Sequence, residues 1–240
     1  MKAKDVLGGL TALMALVFIA DAPSLTLLLS FLFPGQAAPL YPLASPLELL
    51  GQHLALALGA SAIAAALGFL GGSLAHFRGE SLKSLMLGAG ALAQTIPPVA
   101  VLALAVPLLG FGNTSVLFAL GLYGILPVMH GTLAGLESVS PDAVDAARGL
   151  GMSRMERFRL VELPLALPAV AAGIRTSVLI NVGTAAIGAA MGAGGLGRPI
   201  MAGLVQFKTS YVVQGALAAA VLALALDWLL SRLERALARG

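Results

Sequence analysis

The chain has 240 residues, of which 59% are hydrophobic and only 10% are charged. A soluble domain usually carries about 25% charged residues, so this composition excludes a water-soluble globular protein and favours one whose solvent is mostly lipid. The absence of cysteine excludes a disulfide framework, a zinc ribbon and a thiol nucleophile. The basic pI of about 9.6 could indicate a nucleic-acid partner, but the positive charge lies largely beside apolar segments, so no nucleic-acid partner is expected.

Six apolar segments are long enough to cross a bilayer, which takes about 20 helical residues. They cover residues 6–33, 47–77, 82–109, 115–136, 163–191 and 211–230. The fold class predicted from them is an all-α integral membrane protein with about six transmembrane helices. Kinks are expected at Pro97–Pro98, Pro107 and Pro127, because proline lacks the backbone N–H that a helix needs.

The first segment has two interpretations. It follows Lys2 and Lys4, as the apolar part of a signal peptide would, but it continues well past residue 20, and we expect a retained span. Alternatively, Asp21 and Pro23 end the span and leave residues 25–33 at the membrane interface.

Basic residues predict the orientation, since cytoplasmic loops carry an excess of Lys and Arg. One set of alternate connections contains Lys2, Lys4, Arg78, Lys83, Arg148, Arg154, Arg157, Arg159, Arg232, Arg235 and Arg239, whereas the other set contains only Arg198 and Lys208. The first set should be cytoplasmic. We therefore expect a multi-pass protein of the prokaryotic cell (inner) membrane with both termini inside.

Small residues recur at helix-packing spacing, which allows helices to approach closely in lipid. The pairs are Gly68 and Gly72, Gly131 and Gly135, and Gly188 and Gly192.

The longest polar stretch, residues 137–162, is the most informative connection. Ser140-Pro141-Asp142 predicts the start of a short helix, and Gly149 and Gly151 predict its end. Ser153 and Glu156 form a capping box that predicts a second short helix. The first helix should present Ala143, Ala146, Ala147 and Leu150, small or apolar side chains that another protein could approach closely. The alternative is a solvated connector, which would not need two capped helices.

The same loop resembles the EAA loop of binding-protein-dependent ABC permeases. The matching residues are Asp145, Ala146, Ala147, Gly151, Val161, Leu163 and Pro164, with Asp and Val where that family usually has Glu and Ile. The resemblance implies a type I ABC importer permease whose loop forms coupling helices that dock on a separate ATPase. It also implies a second permease copy or paralogue and an extracytoplasmic substrate-binding protein. ATP and Mg would be bound by the partner ATPase, and we expect no cofactor bound by this chain, which has no Walker A motif and no enzymatic role.

Further segments resemble the glycine betaine/carnitine/choline (osmoprotectant) permeases. They are the Gln-Thr-Ile-Pro-Pro sequence at 94–98, Pro-Leu-Leu-Gly-Phe-Gly at 107–112, Ala-Gly-Ile-Arg-Thr-Ser at 172–177 and the glycine-rich segment at 192–197. Methionine-importer permeases match less well and remain an alternative. Residues 1–46, an N-terminal span and outer loop, lie outside the resemblance. Residues 47–232 are the expected permease domain, and 233–240 a cytoplasmic tail.

The glycine-rich segment satisfies the dinucleotide pattern G-x-G-x-x-G through Gly192, Gly194 and Gly197, with Gly195 between them. That motif requires a preceding strand and an acidic residue about 20 positions later, and no acid lies between Glu162 and Asp227. We expect a tight, flexible turn near the outer mouth of a pathway. The histidines 53, 76 and 130 are scattered without acids at metal-ligand spacing, so packing or interfacial roles are expected and no metal site.

Polar residues inside apolar spans are costly and often functional. Gln94, Thr95, Asn181 and Thr184, together with Tyr123 and the Pro97 break, either line a translocation path or bond across helices. Arg175 should snorkel or pair with an acid. A secondary transporter would need inverted repeats and intramembrane acids for ion coupling, for which there is little sign. A structural scaffold would not need the coupling loop. The chain has one Trp, three Tyr and nine Phe, a poor supply for an aromatic cage, so selectivity is expected mostly in the binding protein.

Overall fold

The structure is a computed structural model that describes the backbone of residues 3–238 and the side chains of residues 8–238. In this range the regular structure is helical and contains no strand, which confirms the predicted fold class. The helices are α1 (Ala3–Ala20), α2 (Ala22–Leu32), α3 (Pro46–Arg78), α4 (Glu80–Thr95), α5 (Pro98–Leu109), α6 (Asn113–Glu137), α7 (Pro141–Gly149), α8 (Arg154–Arg157), α9 (Leu163–Ala185), α10 (Gly197–Gln206) and α11 (Thr209–Leu237). Within the described residues, four long apolar helices could cross a membrane, or up to six if two sharply bent pairs each count as one span.

The first bent pair is the segment expected as span one. The chain turns through 89° between α1 and α2. Asp21 sits at the corner, where its side chain accepts a hydrogen bond from the backbone N–H of Ser24 at 3.0 Å and so caps α2. Residues 6–33 therefore form two helices that meet at Asp21, the residue at which the alternative interpretation ends the span.

The second bent pair interrupts the segment expected as span three. α4 and α5 meet at 94° around Ile96 and Pro97. Ile96 adopts an extended conformation, which the ring of a following proline favours, and Pro98 then starts α5 at the position where a missing N–H costs nothing. The expected kink at Pro97–Pro98 is confirmed as a right-angled break. Pro107 and Pro127, by contrast, lie inside α5 and α6.

The core is built around α6, the most buried of the long helices, which packs most extensively against α3 and α9. Glycines make this closeness possible. A methyl group added at Gly131 would lie 2.6 Å from the carbonyl oxygen of Ala169, and one added at Gly68 would lie 2.7 Å from that of Ile125. The packing role predicted for the pairs 68/72 and 131/135 is thus confirmed.

The packing role predicted for the third pair, Gly188 and Gly192, is wrong for Gly192. Gly188 packs closely on Val116, but a methyl group at Gly192 would meet nothing nearer than 3.9 Å. Gly192 instead ends a short 3-10 helix (Ala186–Met191) with a φ of +80°, a conformation that glycine adopts without strain. Glycine at position 192 is therefore needed for the turn and not for helix packing.

The second short helix predicted in the 137–162 loop is not a separate element. α8 runs directly into a π-helical turn (Phe158–Glu162) and then α9, so that Arg154–Met191 forms one helix of 38 residues. Pro164 explains the π turn, since it has no N–H for the next bond, and the N–H of Leu163 bonds to Phe158 five residues back. The helix that contains the fifth predicted span therefore begins before residue 163, at the capping box.

The two ends of the bundle are distinguished by their connections. The end that we call the loop end contains α7, the end of α3 and the start of α4. There Lys83 of α4 forms an ion pair with Glu137 of α6 at 2.6 Å. The turn end carries the glycine-rich turn, residues 192–197. The described basic residues of the larger predicted set, from Arg78 to Arg235, belong to segments at the loop end. Lys2 and Arg239, the side chain of Lys4, and both chain termini lie outside what the structure describes.

Candidate coupling loop and translocation path

α7 is a short helix with a capping residue before it and a glycine turn after it. The side chain of Ser140 accepts a hydrogen bond from the N–H of Ala143 at 3.3 Å, and Pro141 occupies the first turn. At the other end Gly151 has a φ of +80°, which turns the chain toward α8. The capping box at Ser153 is present in both directions, with Glu156 accepting from the Ser153 N–H at 2.8 Å. Both predicted caps are therefore confirmed.

The outward face of α7 differs from the predicted one. Ala147 is only 3% exposed and points into the chain, so it is not available to a partner protein. The small side chain at 147 lets α7 lie close to its own bundle. The exposed positions include Asp145, Ala146 and Leu150, whose side chain is 78% exposed. Asp145 pairs with Arg148 at 2.9 Å on this surface, as expected for residues three apart in a helix.

The segment after α7 is attached to α3. The guanidinium of Arg154 donates to the carbonyl oxygen of Phe77 at 2.7 Å and lies 4.8 Å from the centre of the Phe77 ring. Phe77 in turn packs on Phe158, with ring centres 4.9 Å apart. The loop is thus attached to the end of α3 and is continuous with α9.

A buried ion cluster lies directly behind this contact, and the sequence analysis did not identify it. Glu162 is 4% exposed, and its carboxylate binds Arg157 at 2.6 Å and His76 of α3 at 3.0 Å. Residues five apart do not face each other in an α-helix, but the π turn brings 157 and 162 to the same side. A buried carboxylate needs such partners, because an unpaired charge in an apolar interior is costly.

The remaining loop residues of the predicted coupling set fall on either side of this cluster. Val161 and Leu163 are partly buried, whereas Pro164 and Gly151 are exposed. The coupling set thus divides into exposed positions, which a partner could touch, and inward positions, which hold the loop in place.

The residues predicted for a translocation path are not brought together. Gln94, Thr95 and Pro97 lie exposed at the α4–α5 break, and Gln94 reaches the bundle only through a long hydrogen bond of 3.4 Å to the carbonyl oxygen of Tyr123. Tyr123 itself is buried, and Thr184 is partly buried on α9.

Asn181 belongs to a different environment in the centre of the bundle. It is fully buried, and its amide N–H donates to the hydroxyl of Ser61 on α3 at 2.9 Å. For Asn181 the cross-helix interpretation is therefore the one that the structure supports. Ser177, one helical turn away on α9, is equally buried and lies beside Gly124 of α6.

The glycine-rich turn is tight, as expected, and it is packed against α3. His53 of α3 is fully buried, and its ring bonds two elements at once. Nε2 donates to the carbonyl oxygen of Val182 at 2.9 Å, and Nδ1 accepts from the N–H of Leu196 at 3.3 Å. Since one nitrogen donates and the other accepts, the ring is the neutral tautomer with its proton on Nε2. The neighbouring Gln52 accepts from the N–H of Gly195 at 2.9 Å.

The other glycines of the turn are closely surrounded as well. A methyl group at Gly194 would collide with the Gln52 side chain, and one at Gly197 would collide with the backbone of Ala186. Two side chains from one helical turn of α3 thus hold the glycine-rich turn in place. Sequence reasoning treated His53 as a generic packing residue, because its partners are backbone groups that no sequence pattern reveals.

Of the two roles expected for Arg175, snorkelling or pairing with an acid, the structure confirms the pairing. Its guanidinium binds Asp227 at 2.7 Å and Glu234 at 3.1 Å, both on α11. The two carboxylates lie seven residues apart, two helical turns, and so share one face of α11. The pairing fixes α11 against α9.

Comparison with known proteins agrees with this architecture. The chain is 37% identical to the glycine betaine/carnitine/choline transport system permease protein OpuCB of Bacillus subtilis, over 77% of this chain and 85% of that protein. It is 40% identical to the osmoprotectant import permease protein OsmW of Salmonella typhimurium, over 76% of this chain and 87% of that protein.

Solved structures show the same fold at low sequence identity. A chain of the MetNI methionine ABC transporter in an inward-facing conformation superposes with a TM-score of 0.72 at 19% identity, covering 80% of this chain and 95% of that one. The family of binding-protein-dependent transport system inner membrane components matches residues 64–239. The chain belongs to this family, the membrane-spanning permease subunits of binding-protein-dependent importers.

Proposed function

We propose that this permease imports small quaternary-ammonium osmoprotectants such as glycine betaine, carnitine or choline, driven by a separate ATPase. The observation that carries the substrate class is the similarity to permeases named for these solutes, at 37–40% identity over about three quarters of the chain. The solved amino-acid transporters share the fold at 19–22% identity, which does not extend to their substrates.

The aromatic side chains support a division of labour with a binding protein. A selective site for a quaternary ammonium surrounds it with aromatic faces. Here Tyr41 and Tyr211 are buried against each other with ring centres 5.7 Å apart, and Lys208 lies on the Tyr211 ring. The face of Trp228 is occupied by Arg232 at 4.3 Å. An extracytoplasmic binding protein would therefore supply most of the selectivity, and the permease would supply the passage.

Uptake by reconstituted vesicles tests the substrate. The permease, its ATPase and its binding protein are placed in proteoliposomes, and ATP-dependent uptake of labelled glycine betaine, choline and methionine is compared. Uptake of the first two and not of methionine is expected. Uptake of methionine alone would overturn the substrate class.

The ATPase is proposed to dock on the exposed side of α7. This short capped helix projects from the loop end, and its exposed side carries Asp145, Ala146 and Leu150. The attachment of Arg154 to α3 and the Glu162 cluster would transmit a movement of α7 into the bundle.

The docking proposal is tested by Leu150→Glu, with Leu150→Met as the matched control that keeps an apolar side chain. Leu150→Glu should elute as the folded permease in detergent yet lose co-purification with the ATPase and most uptake, because a carboxylate would be desolvated at the interface. Leu150→Met should behave as wild type. Normal ATPase binding by Leu150→Glu would refute the docking surface.

The loop end would then be cytoplasmic, in the prokaryotic inner membrane, and the permease would work with a second copy or a paralogue. Because the chain has no cysteine, single cysteines can report the topology. Ser138 and Asn113 are at opposite ends of α6, whose 25 residues span about 37 Å. An impermeant maleimide added to whole cells should label Asn113→Cys and leave Ser138→Cys unmodified. The reverse pattern would invert the topology.

A further inference from the structure

A polar cavity of about 780 Å³ opens beside the glycine-rich turn, away from the coupling loop. α3, α6 and the turn form its walls. The apolar part of the lining includes Leu56, Leu117 and Ala193, and the polar part consists of Gln52, Asn113 and Arg198. The walls thus combine apolar surface with a few converging polar groups, as small-molecule sites commonly do.

Of the residues whose side chains the structure describes, Arg198 is the one cation in the lining of this cavity. It lies in the first turn of α10, where its backbone N–H donates to the carbonyl oxygen of Gly195 at 3.1 Å. Within residues 8–238 its guanidinium makes no ion pair and no side-chain hydrogen bond. Arg154, Arg157 and Arg175 are, by contrast, each bound to a carbonyl or a carboxylate.

The neighbouring amide cannot neutralise this charge. Gln52 uses its oxygen for the N–H of Gly195 and its nitrogen for Glu48 at 2.9 Å. The second basic side chain near this end, Lys208, is engaged with the hydroxyl and the ring of Tyr211. Arg198 therefore presents a free planar donor to the cavity, and such a donor binds carboxylates through two parallel hydrogen bonds.

We propose that Arg198 binds the carboxylate of a zwitterionic solute in this cavity and makes the permease favour carboxylate-bearing solutes over choline. The inference rests on the proposed osmoprotectant function and names a chemical preference within it. The apolar walls accept the methyl groups of the trimethylammonium end. Choline has no carboxylate, so its cationic end gains nothing from the guanidinium and is repelled by it.

The test compares two solutes in the same vesicles, reconstituted with ATPase and binding protein. Arg198→Gln should lower glycine betaine uptake about tenfold, the usual effect of losing a charge-assisted hydrogen bond, and leave choline uptake unchanged or raised. Arg198→Lys keeps the charge and should retain most glycine betaine uptake. Lys208→Gln removes a different charge near the same end and should not change the ratio of the two uptakes.

A carboxylate of the binding protein is the other source that this guanidinium could meet. In that case Arg198→Gln would lower the uptake of both solutes equally and raise the concentration of binding protein that half-saturates the ATPase. Either an equal loss or no loss for both solutes overturns the inference. If the wild-type complex takes up neither solute, the proposed function fails instead, and the two failures are distinguishable.

Discussion

The crossing of α6 and α9 allows a sharp test of how the core is held together. At Gly173 an added methyl group would lie 2.6 Å from the carbonyl oxygen of Pro127 and 3.2 Å from the Cα of Gly131. At Gly183, ten residues later on the same helix, a methyl group would meet nothing within 4 Å. The substitutions Gly173→Ala and Gly183→Ala therefore change the same chemistry in two different surroundings.

The expected difference can be worked from these distances. Both substitutions gain helix propensity, worth about 1 kcal/mol in a helix interior. Only Gly173→Ala must also push α6 and α9 apart, and overpacking of a close-packed core costs about 1–3 kcal/mol. The free energies of unfolding of the two variants should thus differ by about 2 kcal/mol. For a chain of this size that corresponds to a difference in Tm of about 4–8 °C.

The measurement is the loss of the folded peak in size-exclusion chromatography after heating the detergent-purified proteins. Gly183→Ala should melt at or slightly above the wild-type temperature, and Gly173→Ala several degrees below Gly183→Ala. If the two variants melt within 1 °C of each other, contact at this crossing does not limit the packing and the argument from glycine spacing fails.

Three further outcomes are expected. Glu162→Gln should lower the free energy of unfolding by about 3 kcal/mol, because Arg157 loses its buried carboxylate. The same thermal assay measures this change, and an unchanged Tm would show that the cluster is solvated. Gly151→Val should impair transport in proteoliposomes, since a φ of +80° costs a branched residue at least about 1–2 kcal/mol. Gly149→Ala should transport normally, because the added methyl group meets nothing within 4 Å. Equal transport by both variants would show that the conformation of the turn at Gly151 is not needed for transport. His53→Phe should speed hydrogen exchange in the glycine-rich turn, because both bonds of the ring are lost; unaltered exchange there would mean that packing alone holds the turn.

Local signals with a direct physical cause could be predicted from the sequence. The caps at Ser140 and Ser153 and the break at Pro97 follow from the chemistry of a few adjacent residues, and all three are present. The close approach at Gly68 and Gly131 follows from their spacing, which places both members of each pair on one helix face.

Features that depend on contacts between distant parts of the chain could not be predicted. The inward direction of Ala147 is set by how α7 lies on the bundle, which the pattern of α7 alone does not contain. The partners of His53 are backbone groups more than a hundred residues away. Arg157 and Glu162 are five residues apart and would point in different directions from an α-helix. Their pairing could therefore be predicted only if the π turn were known.

The π turn also accommodates one residue more than an ordinary helical turn between α8 and α9. Each residue of an α-helix advances by about 100° around the axis and 1.5 Å along it. One turn of a π-helix holds about one residue more than one turn of an α-helix, so deleting one residue between Phe158 and Glu162 would restore an ordinary helix with little change in its length or in the direction of α7. Arg157 and Glu162 would then stand four residues apart in an α-helix and would still share one side of it. The helix can therefore lose one residue at this turn while α7 and the buried ion pair keep their places.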